Sequence, residues 1–332
     1  MLDTKLILLE GIPGSGKSTT AQFLARQLHR LGIPHKWWYE EEQGHPVYIF
    51  DDPESMLRVV DELAAGHYLS VIEKALHRWR SFSSALQASS EVILIDSCLF
   101  GYLTWSLFPY NVPVHTIKDY VLEVERILEP CKPALIYTYQ KDIGKALRTI
   151  VTRRGGETES RFIRAATECA YGKTRALHGF EGMVQYWQDY RAMTDEFFRS
   201  LKLKKLSIDN SALDWQAYGR LVADFLNHPL TEPAPRLDST TLSQLEGFYH
   251  SIEDSDPAKP LVQIRCVNGL LIADGLPQTW PQSTLLPFED KVFDVQSLPF
   301  QVRFEEMDSD VRMYLTGPNL LGGAVHHAYV KR

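Results

Sequence analysis

Eight residues near the start of the chain combine glycines, a lysine and a hydroxyl at a spacing suited to a polyphosphate: Gly11, Ile12, Pro13, Gly14, Ser15, Gly16, Lys17 and Ser18. They read G-x-x-x-x-G-K-[ST], the phosphate-binding P-loop pattern. Glycine lets the backbone bend tightly, so that successive N–H groups converge on an anion. The N-terminus of a following helix adds roughly half a positive charge. Lys17 is expected to reach the β- and γ-phosphates of ATP, and the Ser18 hydroxyl to ligate Mg²⁺. Gly11, Gly14, Ser15, Gly16, Lys17, Ser18 and Thr19 form the expected nucleotide cradle. Asp96 closes the apolar run Val92–Ile95 and is the expected second metal residue, beside Ser18.

The elements that must position these groups are legible around them. Leu6-Ile7-Leu8-Leu9 reads as a buried strand. Ala21, Leu24, Ala25, Leu28 and Leu31 lie on one face of a helix that Gly32 stops. Further strands are expected at His35–Glu40, Val92–Asp96, Ala134–Tyr139 and Lys204–Ile208. Between them, Asp52 caps a helix that has Pro53 first and ends at Gly66. Other helices are expected over Tyr68–Leu86, from a capping-box-like Thr116/Asp119 start to Glu129, over Ile143–Val151, Glu181–Leu201 and Trp215–Leu226. Alternating strands and helices imply an α/β domain over 1–228, a parallel sheet with helices on both faces.

The pattern changes after 228. Residues 229–241 hold three prolines and little periodicity, and read as a linker. Residues 242–332 read as a small antiparallel β domain. Its short runs are Leu261–Val267, Leu270–Ala273, Val292–Val295, Gln301–Phe304 and Val311–Leu315, with a hairpin signal at Asn268-Gly269. This segment carries 7 Lys+Arg against 12 Asp+Glu, a balance of −5 within the chain's net −7.

Such a charge gives no electrostatic footprint for nucleic acid. The four cysteines (Cys98, Cys131, Cys169, Cys266) form no C-x-x-C pair and read as reduced thiols. No apolar run approaches the length of a membrane span, and a strand begins almost at once. Cytoplasmic residence without membrane or nucleic-acid partners is the expectation.

With its P-loop, strand-end Asp96 and later arginines, the chain resembles the nucleoside/nucleotide kinase branch of P-loop proteins over residues 1–227; deoxynucleoside kinases and thymidylate kinase are the nearest comparisons. The resemblance implies a P-loop kinase-type sheet, ATP as donor, Mg²⁺, and a lid that Arg148, Arg153 and Arg154 would supply after the Ala134–Tyr139 strand. Gly155-Gly156 would be its hinge, with Arg161 and Arg164 as substitutes. It also implies a base near the end of the second strand, for which Glu41 and Glu42 are the candidates and His45 an outside one. Trp37, Trp38 and Tyr39 would stack on an acceptor, with Arg78, Trp79 and Arg80 lining the same pocket. Asn210, in the loop Asp209-Asn210-Ser211, would contact the adenine. Where that branch often has Arg after the Asp, this chain has Ser97.

The tail is similar to the small β-rich domain appended to β-lactamase-like serine hydrolases, at Leu245–Tyr249, Asn268-Gly269-Leu270 and Leu285-Leu286-Pro287. It shows no nucleophile–base pairing, and His326-His327 reads as a surface pair. Packing, substrate covering or homodimer formation is its expected role. The function expected is ATP-dependent transfer to a hydroxyl or phosphate of a small-molecule acceptor: a nucleoside, a nucleotide, or a hydroxylated metabolite or antibiotic. The alternative is a nucleotide-binding switch with the β domain as output. Because Ser97, not Glu, follows Asp96, little ATPase activity is expected without acceptor.

Overall fold

The computed structural model describes residues 3–231, 237–252, 261–307 and 310–332; of the expected linker, 232–236 lie outside them. The chain divides into two compact units, Met1–Thr152 with Gly156–Leu230, and Thr231–Arg332 with Arg153–Gly155.

The first unit is built on five parallel strands: β1 (Leu6–Glu10), β2 (His35–Trp38), β3 (Val92–Asp96), β4 (Ala134–Tyr139) and β5 (Lys204–Asp209), in the order β2-β3-β1-β4-β5. β1 and β3 are buried along their whole length, as strands of an α/β sheet must be when both faces are covered. Burying each such Leu or Ile contributes about 1.5–3 kcal/mol. On one face, Ile7, Leu9, Leu94, Ile136 and Ile208 pack with Ala21, Leu24 and Leu28 of α1 (Lys17–Arg30) and Val222 of α10 (Trp215–Phe225). On the other, the Tyr137 hydroxyl donates to Asp195 Oδ1 at 2.8 Å in α9 (Gly179–Ser200). Register pairs Leu9 with Asp96 and Glu10 with Tyr137, so the carboxyl ends of β1, β3 and β4 form one edge. Ligands of open α/β sheets bind at that edge, where the strand order reverses.

The helices between these strands are α2 (Pro53–Ala64), α3 (Tyr68–Ala88), α4 (Gly101–Trp105), α5 (Val114–Leu128), α6 (Ile143–Arg154), α7 (Thr158–Thr167) and α8 (Ala170–Thr174). Asp52 caps α2 in a reciprocal box with Ser55, as its sequence implies. Two expectations need correction. α5 starts at Val114 behind Pro113, so Thr116 sits within its first turn rather than at the cap. α6 runs on through Arg153 and Arg154, which are its last turn and not a following loop.

In the second unit, α11 (Ser239–Leu245) precedes eight antiparallel strands: β6 (Gly247–Ser251), β7 (Val262–Val267), β8 (Leu270–Asp274), β9 (Ser283–Glu289), β10 (Val292–Val295), β11 (Gln301–Glu306), β12 (Val311–Thr316) and β13 (His326–Lys331). Neighbours in sequence pair throughout, and β13 pairs with β6 to close a barrel without free edges. The β7–β8 hairpin turns on Asn268 (φ 52°) and Gly269 (φ 76°), both positive as a type I′ turn requires. Alternate residues such as Val262 and Ile264, Val302 and Phe304, and Met313 and Leu315 are buried and fill the interior.

Candidate functional site

The loop between β1 and α1 wraps tightly because two of its glycines have no room for a side chain. At Gly11 (φ 147°) a Cβ would overlap the Thr138 carbonyl oxygen and stand 2.5 Å from Ser15 Oγ. At Gly16 (φ 103°) it would lie 2.5 Å from Trp215 Cη2 and 2.7 Å from Asn210 Nδ2. Gly11→Ala is therefore expected to destabilise the protein by about 3 kcal/mol or more, combining backbone strain with a clash against fixed backbone. A urea midpoint unchanged from wild type would contradict this packing.

Several side chains brace the loop from the carboxyl edge of the sheet. Ser15 Oγ and Thr138 Oγ1 are 2.9 Å apart in a hydrogen bond. Gln140 Nε2 donates to the Gly14 carbonyl at 3.3 Å, and Asn210 Nδ2 to the Ser15 carbonyl at 2.7 Å. Asn210 thus contacts the loop itself. Gly14 lies beside α6, with Ile150 Cβ 3.4 Å from where its own Cβ would be. The Lys17 ammonium folds back to the Ile12 carbonyl at 3.3 Å. Thr19, next to Ser18, is in the first turn of α1.

Asp96 ends β3 fully buried. Its Oδ1 accepts from the Ser97 hydroxyl at 3.1 Å, and the Ser18 side chain also hydrogen-bonds to it. Its Oδ2 is buried without a hydrogen-bond partner among the described residues. Burial, and then the Glu40 charge, push this carboxyl up to about 7, against the pull of Lys17 and the two serines. Ser18, Lys17 and Asp96 are thus one cluster.

Glu10 belongs to it and escaped the sequence reading. It is buried at the end of β1, and its carboxylate accepts from the backbone N–H groups of Cys98 (2.9 Å), Leu99 (2.6 Å) and Gly101 (3.0 Å). Those bonds pin the segment after Asp96, including Ser97 at φ 62°. Burial raises its pKa to about 7, with the Leu99 and Gly101 N–H bonds and Lys17 opposing. A glutamate one residue before a glycine-rich loop carries no local signal of this role.

The acid run after β2 separates into three different environments. Glu42 is buried, accepts from Lys36 Nζ at 2.5 Å and from the Tyr39 N–H at 3.3 Å, and its pKa is raised by burial. Glu41 is exposed. Glu40 is half-buried, and its charge raises the pKa values of Asp96 and Tyr48. His45 is buried, stacked on Tyr48 with ring centroids 4.1 Å apart.

Other expected residues lie elsewhere. Trp79 is a core residue whose indole N–H donates to the Tyr120 hydroxyl at 3.0 Å, so it packs α3 on α5. Arg78 pairs with Asp51 at 3.1 Å and Arg80 with Glu123 at 3.8 Å. Trp37 packs on the core beneath the sheet, and Tyr39 is buried against it edge-on. Arg148 lies over the Phe180 ring at 4.0 Å and 3.7 Å from Glu181 Oε1. Arg153 and Arg154 end α6, and Arg161 and Arg164 are exposed on α7. Arg191 was not anticipated: its Nη1 donates to the Gln140 carbonyl at 2.5 Å and its guanidinium covers the Tyr139 ring at 4.6 Å, which fixes the loop after β4.

Among the described residues, no helix is long and apolar enough to cross a membrane. No protein-family model matches the chain, and no curated protein matches it. Among solved structures, it is similar to the crystal structure of the YorR protein from Bacillus subtilis in complex with phosphorylated GDP. That similarity has a TM-score of 0.36 and 14% sequence identity, over 67% of this chain and 95% of that chain.

Proposed function

We propose that the first unit is an ATP-dependent phosphotransferase acting on a small molecule. The observation that carries this reading is the buried Asp96, with an unpartnered Oδ2, held beside Ser18 and Lys17 where a glycine loop opens a helix. An orphaned carboxylate oxygen and a hydroxyl form an all-oxygen donor set, which fits Mg²⁺. Ser18 and Asp96 would hold the ion; when bound, it supplies positive charge to the β- and γ-phosphoryl oxygens.

The chain's own groups do the rest. Gly11, Gly14, Ser15, Gly16 and Thr19 offer the cradle for the polyphosphate, with Asn210 bracing it from β5. Lys17 swings from the Ile12 carbonyl onto the β- and γ-phosphates. Arg148, on the helix α6 that runs beside Gly14, would supply the lid charge. The acceptor hydroxyl oxygen forms a new bond to the γ-phosphorus as the bond from that phosphorus to the β–γ bridging oxygen breaks, releasing ADP. The hydroxyl proton passes to a carboxylate. Glu40 takes that role here in place of Glu41 and Glu42, because Glu42 is committed to Lys36 and Glu41 faces solvent.

Glu40→Gln tests the assignment. Transfer should fall on the order of 10²-fold or more while ATP affinity stays within about twofold. Equal or larger losses from Glu41→Gln or Glu42→Gln would move the base to one of those residues. ATP binding with no transfer to any acceptor would favour a nucleotide-binding switch.

A further inference from the structure

Two side-chain amides grip consecutive carbonyls of the glycine loop. Asn210 Nδ2 donates to the Ser15 carbonyl at 2.7 Å, and Gln140 Nε2 to the Gly14 carbonyl at 3.3 Å. In a trans peptide the carbonyl and the N–H point opposite ways. The Asn210 bond therefore turns the Gly16 N–H away from β5 and into the loop. The Gln140 bond does the same for the Ser15 N–H, which meets the Ile12 carbonyl at 3.1 Å. Successive N–H groups turned to one side are what an anion-binding nest requires.

Asn210 holds this place with one end idle. It is 1% exposed, and its Oδ1 is buried without a hydrogen-bond partner among the described residues. Turning the amide over would set Oδ1 against the Ser15 carbonyl oxygen and lose the bond. Buried polar atoms are nearly always paired, so an amide kept with an orphan oxygen marks its N–H end as the one that is needed. Both amides are anchored on the end of β4, and α9 anchors that end. The Asn210 N–H donates to the Tyr139 carbonyl at 2.7 Å. Arg191 Nη1 donates to the Gln140 carbonyl at 2.5 Å, and its Nε lies 3.5 Å from Asp195 Oδ2. Asp195 is tied to the sheet by the Tyr137 hydroxyl. One chain of contacts thus runs from the buried face of β4 through Asp195, Arg191 and Gln140 to Gly14.

Resting on the reading above only for its claim that this loop takes a polyphosphate, we propose that Asn210 and Gln140 form a clamp that presets the loop, and that Arg191 is a positioning residue acting through Gln140. Asn210 then serves the phosphates and not the adenine that the family resemblance implies for it. Its donor is spent on Ser15, and its buried side chain offers a base no edge. Groups already oriented bind more tightly because less ordering accompanies binding. The clamp therefore matters equally for a polyphosphate with or without a nucleoside attached.

Calorimetry on the full chain with Mg²⁺ tests this, with a non-hydrolysable ATP analogue and inorganic tripolyphosphate as probes. Asn210→Ala should weaken both by about tenfold or more, and by the same factor within about twofold. Gln140→Ala and Arg191→Met should each weaken both by about fivefold, and the double variant by little more than either alone. Loss confined to the ATP analogue would make Asn210 a base contact and overturn the proposal. Wild-type affinities in Asn210→Ala would overturn it too, as would a wild-type protein that binds the analogue but not tripolyphosphate. Losses that multiply in the double variant would put Arg191 on the phosphate itself and overturn its positioning role. If Asn210→Ala fails to fold, Gln140→Ala decides at a half-buried position: equal loss for both probes supports the clamp, and unequal or no loss overturns it. A wild-type protein that binds neither probe would instead overturn the polyphosphate reading of the loop, and this proposal with it.

Discussion

Lys17→Ala is expected to reduce phosphoryl transfer by about 10³-fold or more while the protein stays folded. The two halves of this expectation have separate causes. Among the described residues the lysine has one hydrogen bond, to the Ile12 carbonyl, so its removal leaves a single acceptor without that donor. Its charge does lower the pKa values of two buried carboxyls, Glu10 and Asp96. Without it those carboxyls hold their protons at higher pH rather than remain as uncompensated buried anions, which limits the stability cost. Catalysis has no such escape, since nothing else in the loop carries a charge to the transferring group. Far-ultraviolet circular dichroism and Tm, set beside the transfer rate, separate these halves. Wild-type transfer by Lys17→Ala would show that the glycine loop is not the phosphate site.

Asp96→Asn is expected to do opposite things to activity and to stability. Transfer should fall by at least about 10²-fold, because the amide cannot replace an anionic metal ligand. The ligand-free protein should become more stable at pH 8. The sign follows from the raised pKa values. Asp96 sits at about 7 in the folded chain against 3.8 as its ordinary value, and Glu10 at about 7 against 4.5. Between roughly pH 4 and pH 7 the folded state therefore holds protons that the unfolded chain has released. Stability is greatest at the low end of that window and falls as pH rises through it. A raise of this size corresponds to a few kcal/mol, at about 1.4 kcal/mol per pH unit. Asp96→Asn removes the Asp96 share, so its Tm should lie several degrees (~5 °C) above wild type at pH 8 and converge with it near pH 4. A Tm difference that is flat across this range would mean that Asp96 is an ordinary ionised carboxylate and not a buried group awaiting a cation.

Much of the scaffold was readable from residue types alone, and the reasons are local. Leu6–Leu9 is an unbroken apolar run before glycines, Asp52-Pro53 is a cap followed by a first-turn proline, and Asn268-Gly269 has the positive φ values its turn demands. What was hidden depends on contacts distant in sequence. The role of Glu10 is set by N–H groups 88 to 91 positions away. The three acids after β2 are alike as letters; the turn in which the Glu42 N–H meets the Tyr39 carbonyl at 3.0 Å decides which of them faces inward. His45, an outside candidate for the base, is buried by a stack of rings that no local signal in the sequence announces. Barrel closure was equally silent. β9 contains Pro287, at which the register with β10 shifts, and β13 opens with two histidines, so neither reads as a strand.

The account's central claim is that this site passes a phosphoryl group to an organic hydroxyl instead of to water. The most direct test incubates the full chain with γ-³²P-labelled ATP and Mg²⁺, with and without the small-molecule fraction of a cell extract as a pooled acceptor. The account predicts slow release of label alone and at least tenfold faster loss of label from ATP with the pool, the label appearing in an organic phosphate. Rapid release of inorganic phosphate at the same rate in both mixtures would contradict it.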